Sequence, residues 1–186
     1  MQRNNLNLRV TSFLTLPNFL SFGRLAGAGI LPLFMQAPLI AFILFSLASI
    51  SDFFDGWVAR KHKSTSTVGR LLDPLADKFL VGSAYFLLFR MEVVPAWLMG
   101  IIMARDIAII LGVIYLWYEG DRVHFTAGPI LLSKINTFVQ LSYAGFMFGN
   151  SAGIWHVTWS HATWVLATLT IASGISYLEF FLERRL

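Results

Sequence analysis

The sequence predicts an all-α integral membrane protein with six transmembrane helices, built as a single domain over residues 1–186. Three observations carry that expectation. Hydrophobic residues make up 56% of the chain and charged residues 13%, where a soluble domain averages about 45–50% and about 25%; the mean hydropathy is +0.67. The apolar residues fall into six stretches, each near the roughly 20 residues that a helix needs to cross a hydrocarbon core. The basic residues gather in alternate connections between those stretches. Such a chain is not disordered, not a coiled coil and not a nucleic-acid-binding module, so no nucleic acid is expected as a partner. With no cysteine in the chain, a disulfide, a thiolate metal site and a cysteine nucleophile are excluded.

The stretches cover residues 17–35, 38–58, 71–89, 94–118, 129–149 and 155–181. Pro17, Pro38, Pro74, Pro95 and Pro129 stand at or near their starts, where a missing N–H costs nothing. Residues 1–16 lack the continuous apolar core and small-residue cleavage site of a signal peptide. Their Leu6, Leu8, Phe13, Leu14 and Leu16 beside Arg3 and Arg9 leave two readings, a segment lying on the membrane surface or a frayed terminus. Arg3, Arg9, Arg60, Lys61, Lys63, Arg70, Arg122, Arg184 and Arg185 fall on one side of a six-span chain, and Arg90 alone on the other. The positive-inside rule makes the first side cytoplasmic, and with it both termini. Trp155, Trp159 and Trp164 then mark the opposite interface, and His156 and His161 among them read as headgroup contacts rather than a metal site. No internal repeat is visible.

Ionisable groups inside a span are costly and mark function. Asp52 and Asp55 lie late in the second stretch, Asp73 and Asp77 at the start of the third. Spacings of three and four place each pair on one helix face, and both pairs fall at the cytoplasmic ends of consecutive helices, expected to be neighbours. Lys78 and Arg60 offset part of the charge, but four carboxylates together read best as a site for hard divalent cations, Mg²⁺ or Mn²⁺. Two such ions about 4 Å apart are a known arrangement for displacement at phosphorus. Gly56, Ala59 and Gly69 are small enough for a bulky group to approach the backbone; Gly56 taken alone reads as helix packing, but with four acids around it the group reads as a ligand pocket.

Written along the chain, Asp52-x2-Asp55-Gly56-x2-Ala59-Arg60-x8-Gly69-x3-Asp73-x3-Asp77 resembles the signature of the CDP-alcohol phosphotransferase family at every fixed position. The resemblance implies the six-helix bundle of that family around the motif. It also implies transfer of a phosphoalkyl group from a CDP-linked donor to an alcohol, with release of CMP. Carried onto this chain, Asp52, Asp55, Asp73 and Asp77 would hold two divalent ions, and Asp77 would also take the proton of the acceptor hydroxyl. Gly56, Ala59 and Gly69 would make room for the cytidine nucleotide, with Arg60 toward its phosphates. The donor's acyl chains would need a lateral opening among the helices. Leu16-Pro17-Asn18-Phe19-Leu20-Ser21-x2-Arg24 is similar to the opening helix of the branch making phosphatidylglycerophosphate and cardiolipin. That assigns Asn18 to the donor and Arg24 to substrate phosphates.

The acceptor is read from two further places. Arg105-Asp106 lies inside the fourth stretch, and Ser133-Lys134-Ile135-Asn136-Thr137, followed by Gln140, opens the fifth. Arg105 beside Asp106 reads as a structural pair, but Arg105 and Lys134 also suit an anionic acceptor. Relatives that use glycerol 3-phosphate usually carry Arg-Glu and Gly-Lys-x-Lys-Thr there; here Asp106 replaces the glutamate and Asn136 the second lysine. Glycerol 3-phosphate presents a phosphomonoester of charge about −2, phosphatidylglycerol a diester of single charge. A pocket with one cation fewer fits the diester. The pattern resembles the cardiolipin synthases of eukaryotic type, which join CDP-diacylglycerol to phosphatidylglycerol, and glycerol 3-phosphate is the second acceptor expected.

The resemblance further implies a homodimer. With no long basic presequence, the expected location is the inner (plasma) membrane of a bacterium, with the active site cytoplasmic. A cation transporter would place its acids near the midplane of repeated halves, whereas these cluster at one end. A scaffold without activity has no use for four buried acids.

Overall fold

Among the described residues, six α-helices stand where six apolar stretches were expected. They are α1 (Leu16–Ile30), α2 (Pro38–His62), α3 (Gly69–Arg90), α4 (Ala96–Tyr118), α5 (Ala127–Ser151) and α6 (Ser160–Glu183), with a 3₁₀ turn over Leu31–Phe34. The computed structural model describes the backbone of residues 16–62, 69–118, 127–156 and 160–183, and within these the side chains of 23–51, 77–112, 114–115, 131–156 and 161–182. No strand occurs among the described residues. The segment 1–15, the basic loop 63–68, Arg122, Trp159, Arg184 and Arg185 lie outside them.

Pro32 shapes the end of the first helix. It has no N–H to donate to Ala28 O, the bond that would continue α1, and the chain tightens into the 3₁₀ turn. The 15 residues of α1 and 4 of the turn together reach about 30 Å, the thickness of a hydrocarbon core. The freed Ala28 carbonyl is buried and accepts the Ser83 hydroxyl of α3. One proline thus creates an acceptor, and a serine 55 residues away satisfies it. Pro74 departs from expectation: α3 begins at Gly69, so Pro74 lies in its second turn instead of at its start.

Among the described residues the helices form a ring. α1 packs on α2, α2 on α5, α5 on α6, α6 on α4, α4 on α3, and α3 on α1, with α3 also reaching α5 across the middle. α1 packs against both α2 and α3, and α2 and α3 also touch among the described residues. The ends of α2 and α3 that carry the acids, expected as neighbours, have their side chains outside the described residues. Tyr85, Phe148, Leu98, Ile102 and Leu166 are wholly buried in the centre. The Tyr85 and Tyr143 rings stack with centroids 6.4 Å apart, and the Tyr85 hydroxyl donates to Gln140 O at 3.0 Å.

Two helix ends on the same side share one solution. After α3, Val93 N donates to Leu88 O and Glu92 N to Phe89 O. After α5, Ile154 N donates to Gly149 O and Gly153 N to Asn150 O. Both are the paired bonds of a Schellman ending, which needs a left-handed residue at its turn. Gly153 supplies it at φ 74° and Glu92 at φ 59°.

The outside is apolar. Leu33, Phe138 and Trp164 are 79%, 71% and 65% exposed, far more apolar surface than water tolerates. One described stretch, His161–Leu182, is long and apolar enough to cross a membrane unaided, with mean hydropathy 1.6. The shorter apolar helical stretches are Gly23–Phe34 and Pro38–Ser51. Asp77 and Lys78 of α3, Arg105 and Asp106 of α4, and Lys134, Asn136 and Gln140 of α5 are the charged and amide side chains set within these helices. At the α4 and α6 starts, Trp97 and Trp164 stack at 4.9 Å. Trp155 packs edge-on against Phe42 and donates its N–H to Phe146 O at 2.9 Å.

Candidate active site

The first half of the site is set by helix register. Asp52, Asp55, Gly56, Ala59 and Arg60 ride on the last turns of α2, Gly69 and Asp73 on the first turns of α3, and Asn18 on the first turn of α1. Their side chains lie outside the described residues. Asp77 is described. Its carboxylate is 36% exposed, and Oδ1 accepts Arg24 Nη1 at 2.6 Å. Arg24 is buried, 3% exposed at its side chain. It is turned into the bundle from α1 and meets α3 there, rather than reaching to a headgroup. A contact this short between full charges is a charge-assisted hydrogen bond.

A second polar group begins at the next residue of α3. Lys78 Nζ donates to Asp106 Oδ1 at 2.6 Å, and Arg105 Nη1 donates to the same oxygen at 2.6 Å. Arg105 Nη2 donates to Ser133 Oγ of α5 at 2.6 Å and to Ser173 Oγ of α6 at 2.7 Å. Arg105 and Asp106 are both buried. Lys78 therefore serves Asp106, not only the acids of the motif.

The chain of polar contacts continues along the α5–α6 seam. Thr170 Oγ1 donates to Asn136 Oδ1 at 3.0 Å and accepts Gln140 Nε2 at 3.4 Å. Asn136, Gln140 and Thr170 are wholly buried. Of the acceptor residues expected from the sequence, Arg105 thus reaches α5 through Ser133. Asn136 faces Thr170, and Lys134 is exposed. Thr170 and Ser173 were not anticipated. Their signal was polarity at a spacing of three inside an otherwise apolar span, the same signal that marked the acids. His156 and His161 are exposed, and no cluster of three or more metal-ligating side chains occurs among the described residues.

Between α1, α3 and α4 lies an open groove of about 460 Å³. Pro32, Phe79, Phe86, Ile107 and Ile110 line it, and Lys78 and Asp106 are its charged members.

The chain belongs to a family of membrane-bound transferases. Residues 14–176 match the CDP-alcohol phosphatidyltransferase family, a span that takes in every site residue above. The protein is an enzyme of that family. Among its relatives, a CDP-diacylglycerol--glycerol-3-phosphate 3-phosphatidyltransferase of Rickettsia bellii is 32% identical over 178 residues, 88% of this chain and 93% of the relative. A probable cardiolipin synthase (CMP-forming) of Drosophila melanogaster is 34% identical over 196 residues, 90% of this chain and 58% of the relative. A CDP-diacylglycerol--glycerol-3-phosphate 3-phosphatidyltransferase of Bacillus subtilis is 30% identical over 184 residues, 88% of this chain and 93% of the relative.

Proposed function

We propose that the protein is a cardiolipin synthase, moving the phosphatidyl group of CDP-diacylglycerol onto phosphatidylglycerol with release of CMP. The observation that carries the choice of acceptor is Asn136. By the resemblance, relatives that use glycerol 3-phosphate usually carry a second lysine at this position. Here it is a neutral amide, wholly buried and bound to Thr170. Arg105 and Lys134 remain as cations for a singly charged diester.

Asp52, Asp55, Asp73 and Asp77 would hold two divalent cations, Mg²⁺ or Mn²⁺. An all-carboxylate donor set on two helices fits hard ions of that kind. When bound, the ions offset charge on the departing phosphate. The remaining work falls to the chain's own groups. Gly56, Ala59 and Gly69 would leave space for the cytidine, with Asn18 assigned to the donor and Arg60 to its phosphates. Asp77 accepts the acceptor hydroxyl's proton as its oxygen bonds to the donor phosphorus and the bond to CMP breaks. Arg24, holding Asp77 Oδ1 at 2.6 Å, fixes where that base stands, and its charge faces the substrate phosphates. The groove between α1, α3 and α4 gives acyl chains a lateral exit beside Lys78. All six helices span the bilayer as one domain over 1–186, with both termini and the site cytoplasmic. The location is a bacterial inner membrane, and the assembly is a homodimer.

A second reading keeps the chemistry and changes the acceptor to glycerol 3-phosphate. It is favoured by the names of the Rickettsia and Bacillus relatives, which this chain covers over 93% of their lengths. The two are separated by purified protein in lipid–detergent micelles with labelled CDP-diacylglycerol and Mg²⁺ or Mn²⁺, each acceptor offered alone. Cardiolipin from phosphatidylglycerol only supports the first reading. Phosphatidylglycerophosphate from glycerol 3-phosphate only overturns it in favour of the second.

A further inference from the structure

The α6 helix entered the sequence reading as a membrane span with no chemistry, yet one of its faces is built around Arg105. Thr170, Ser173, Gly174 and Tyr177 recur at the three- and four-residue steps of a single helix stripe. Ser173 Oγ accepts Arg105 Nη2 at 2.7 Å. The Tyr177 ring lies under the guanidinium, its centroid 5.9 Å from Cζ. A Cβ added at Gly174 would touch Arg105 Cγ at 3.5 Å, so the glycine is where the arginine stem passes the helix. Thr170, one turn back, locks the neighbouring α5 seam through Asn136 and Gln140.

An arginine has five N–H donors in a planar fork. Here Asp106 takes one, and Ser133 and Ser173 take two more from Nη2. That leaves Nε and one hydrogen of Nη1. Arg105 is 5% exposed, and its Nε has no hydrogen-bond partner among the described residues. A buried donor left unmade is costly, and a ligand oxygen would relieve it. With both Nη2 hydrogens occupied, the plane of the fork is set by α5 and α6 before any ligand arrives.

We infer that Ser173 and Tyr177 are positioning residues: they fix the orientation of the Arg105 guanidinium and so set affinity for the phosphate of the alcohol acceptor. The inference rests on the reading of Arg105 as an acceptor ligand. It adds that α6, through a hydroxyl and a ring, decides which donors that ligand meets. A guanidinium released from Ser173 spreads over several orientations, and the population able to meet the phosphate falls.

The test is steady-state CMP release by Ser173→Ala, Tyr177→Leu, Arg105→Ala and the Arg105→Ala/Ser173→Ala double variant. Glycerol 3-phosphate and phosphatidylglycerol are titrated separately, and thermal unfolding in micelles is followed in parallel. Ser173→Ala should raise the acceptor KM about tenfold, the scale of one lost charge-assisted hydrogen bond. Its kcat should stay within about twofold, and the KM for CDP-diacylglycerol should not move. Tyr177→Leu should act in the same direction. Adding Ser173→Ala to Arg105→Ala should change nothing further, because the serine acts only through the arginine. An unchanged acceptor KM in Ser173→Ala, with Arg105→Ala impaired, overturns the inference and leaves the reading of Arg105 standing. An equal loss from Ser173→Ala in both backgrounds overturns it in favour of a packing role. An unchanged acceptor KM in Arg105→Ala removes the reading of Arg105 itself, and the inference with it.

Discussion

Lys78 and Arg105 are held by one oxygen. Each donates to Asp106 Oδ1 at 2.6 Å, the lysine from α3 and the arginine from α4. The lysine follows Asp77 in sequence, and Asp77 holds Arg24 of α1. The arginine continues to Ser133 of α5 and Ser173 of α6. Among the described residues, five of the six helices thus meet through charged and hydroxyl groups around two carboxylates.

Asp106→Asn should therefore be severe. It leaves two cations facing each other in a buried place with their shared counter-ion gone, and breaking such a cluster costs about 3–5 kcal/mol. Thermal unfolding in lipid–detergent micelles should show a clear drop for Asp106→Asn. Stability like that of the unmutated protein would mean that water or lipid phosphate replaces the carboxylate.

Asp77→Asn should abolish phosphatidyl transfer while CDP-diacylglycerol still binds, since the neutral amide keeps the shape and loses the basic oxygen. Arg24→Ala removes the group that holds that carboxylate, and should lower kcat by about a hundredfold, within the range assigned to general-base catalysis. Labelled-donor binding and CMP release, measured on the same samples, separate the two effects. Full turnover by Asp77→Asn would take this residue out of the mechanism.

Ser83→Ala leaves the buried Ala28 carbonyl, already without its helical N–H because of Pro32, with no hydroxyl to accept. The expected cost is about 1–3 kcal/mol, read as a lower unfolding temperature with unchanged KM values. Ser83→Thr keeps the donor and should recover most of the loss.

The two Schellman endings predict opposite signs. Glu92 sits at φ 59°, where a side chain is strained, so Glu92→Gly should stabilise by up to about 1 kcal/mol. Gly153 at φ 74° needs its freedom, and Gly153→Ala should cost about 1 kcal/mol. Gly149→Ala, four residues earlier, should cost more, because its new methyl would overlap the Trp155 indole. Unfolding curves of the three variants order them directly.

Asn136→Lys tests the choice of acceptor. The new ammonium would stand where Asn136 is wholly buried beside Thr170, so stability should fall. In the folded fraction, turnover with glycerol 3-phosphate should rise relative to phosphatidylglycerol. An unchanged ratio would remove position 136 from acceptor selection.

Composition placed the chain in lipid, where only helices or a closed barrel satisfy the backbone, and apolar runs of about 20 residues chose helices. Six helix positions followed from apolar runs and prolines. The four acids, Arg60 and the small residues stood out as candidates by fixed spacing, and Arg24, Arg105 and Lys134 by charge in apolar surroundings. Spacing along one helix is local information, and a sequence states it directly. What sits opposite a residue is not local. That Ser83 answers the carbonyl freed by Pro32, that Lys78 turns to Asp106, that Asn136 seals to Thr170, and that Ser173 and Tyr177 cradle Arg105 all depend on which helices are neighbours. The ring order that sets α1 against α3 and α6 against α4 is decided by packing and by burial of polar partners, which act only once the helices have met.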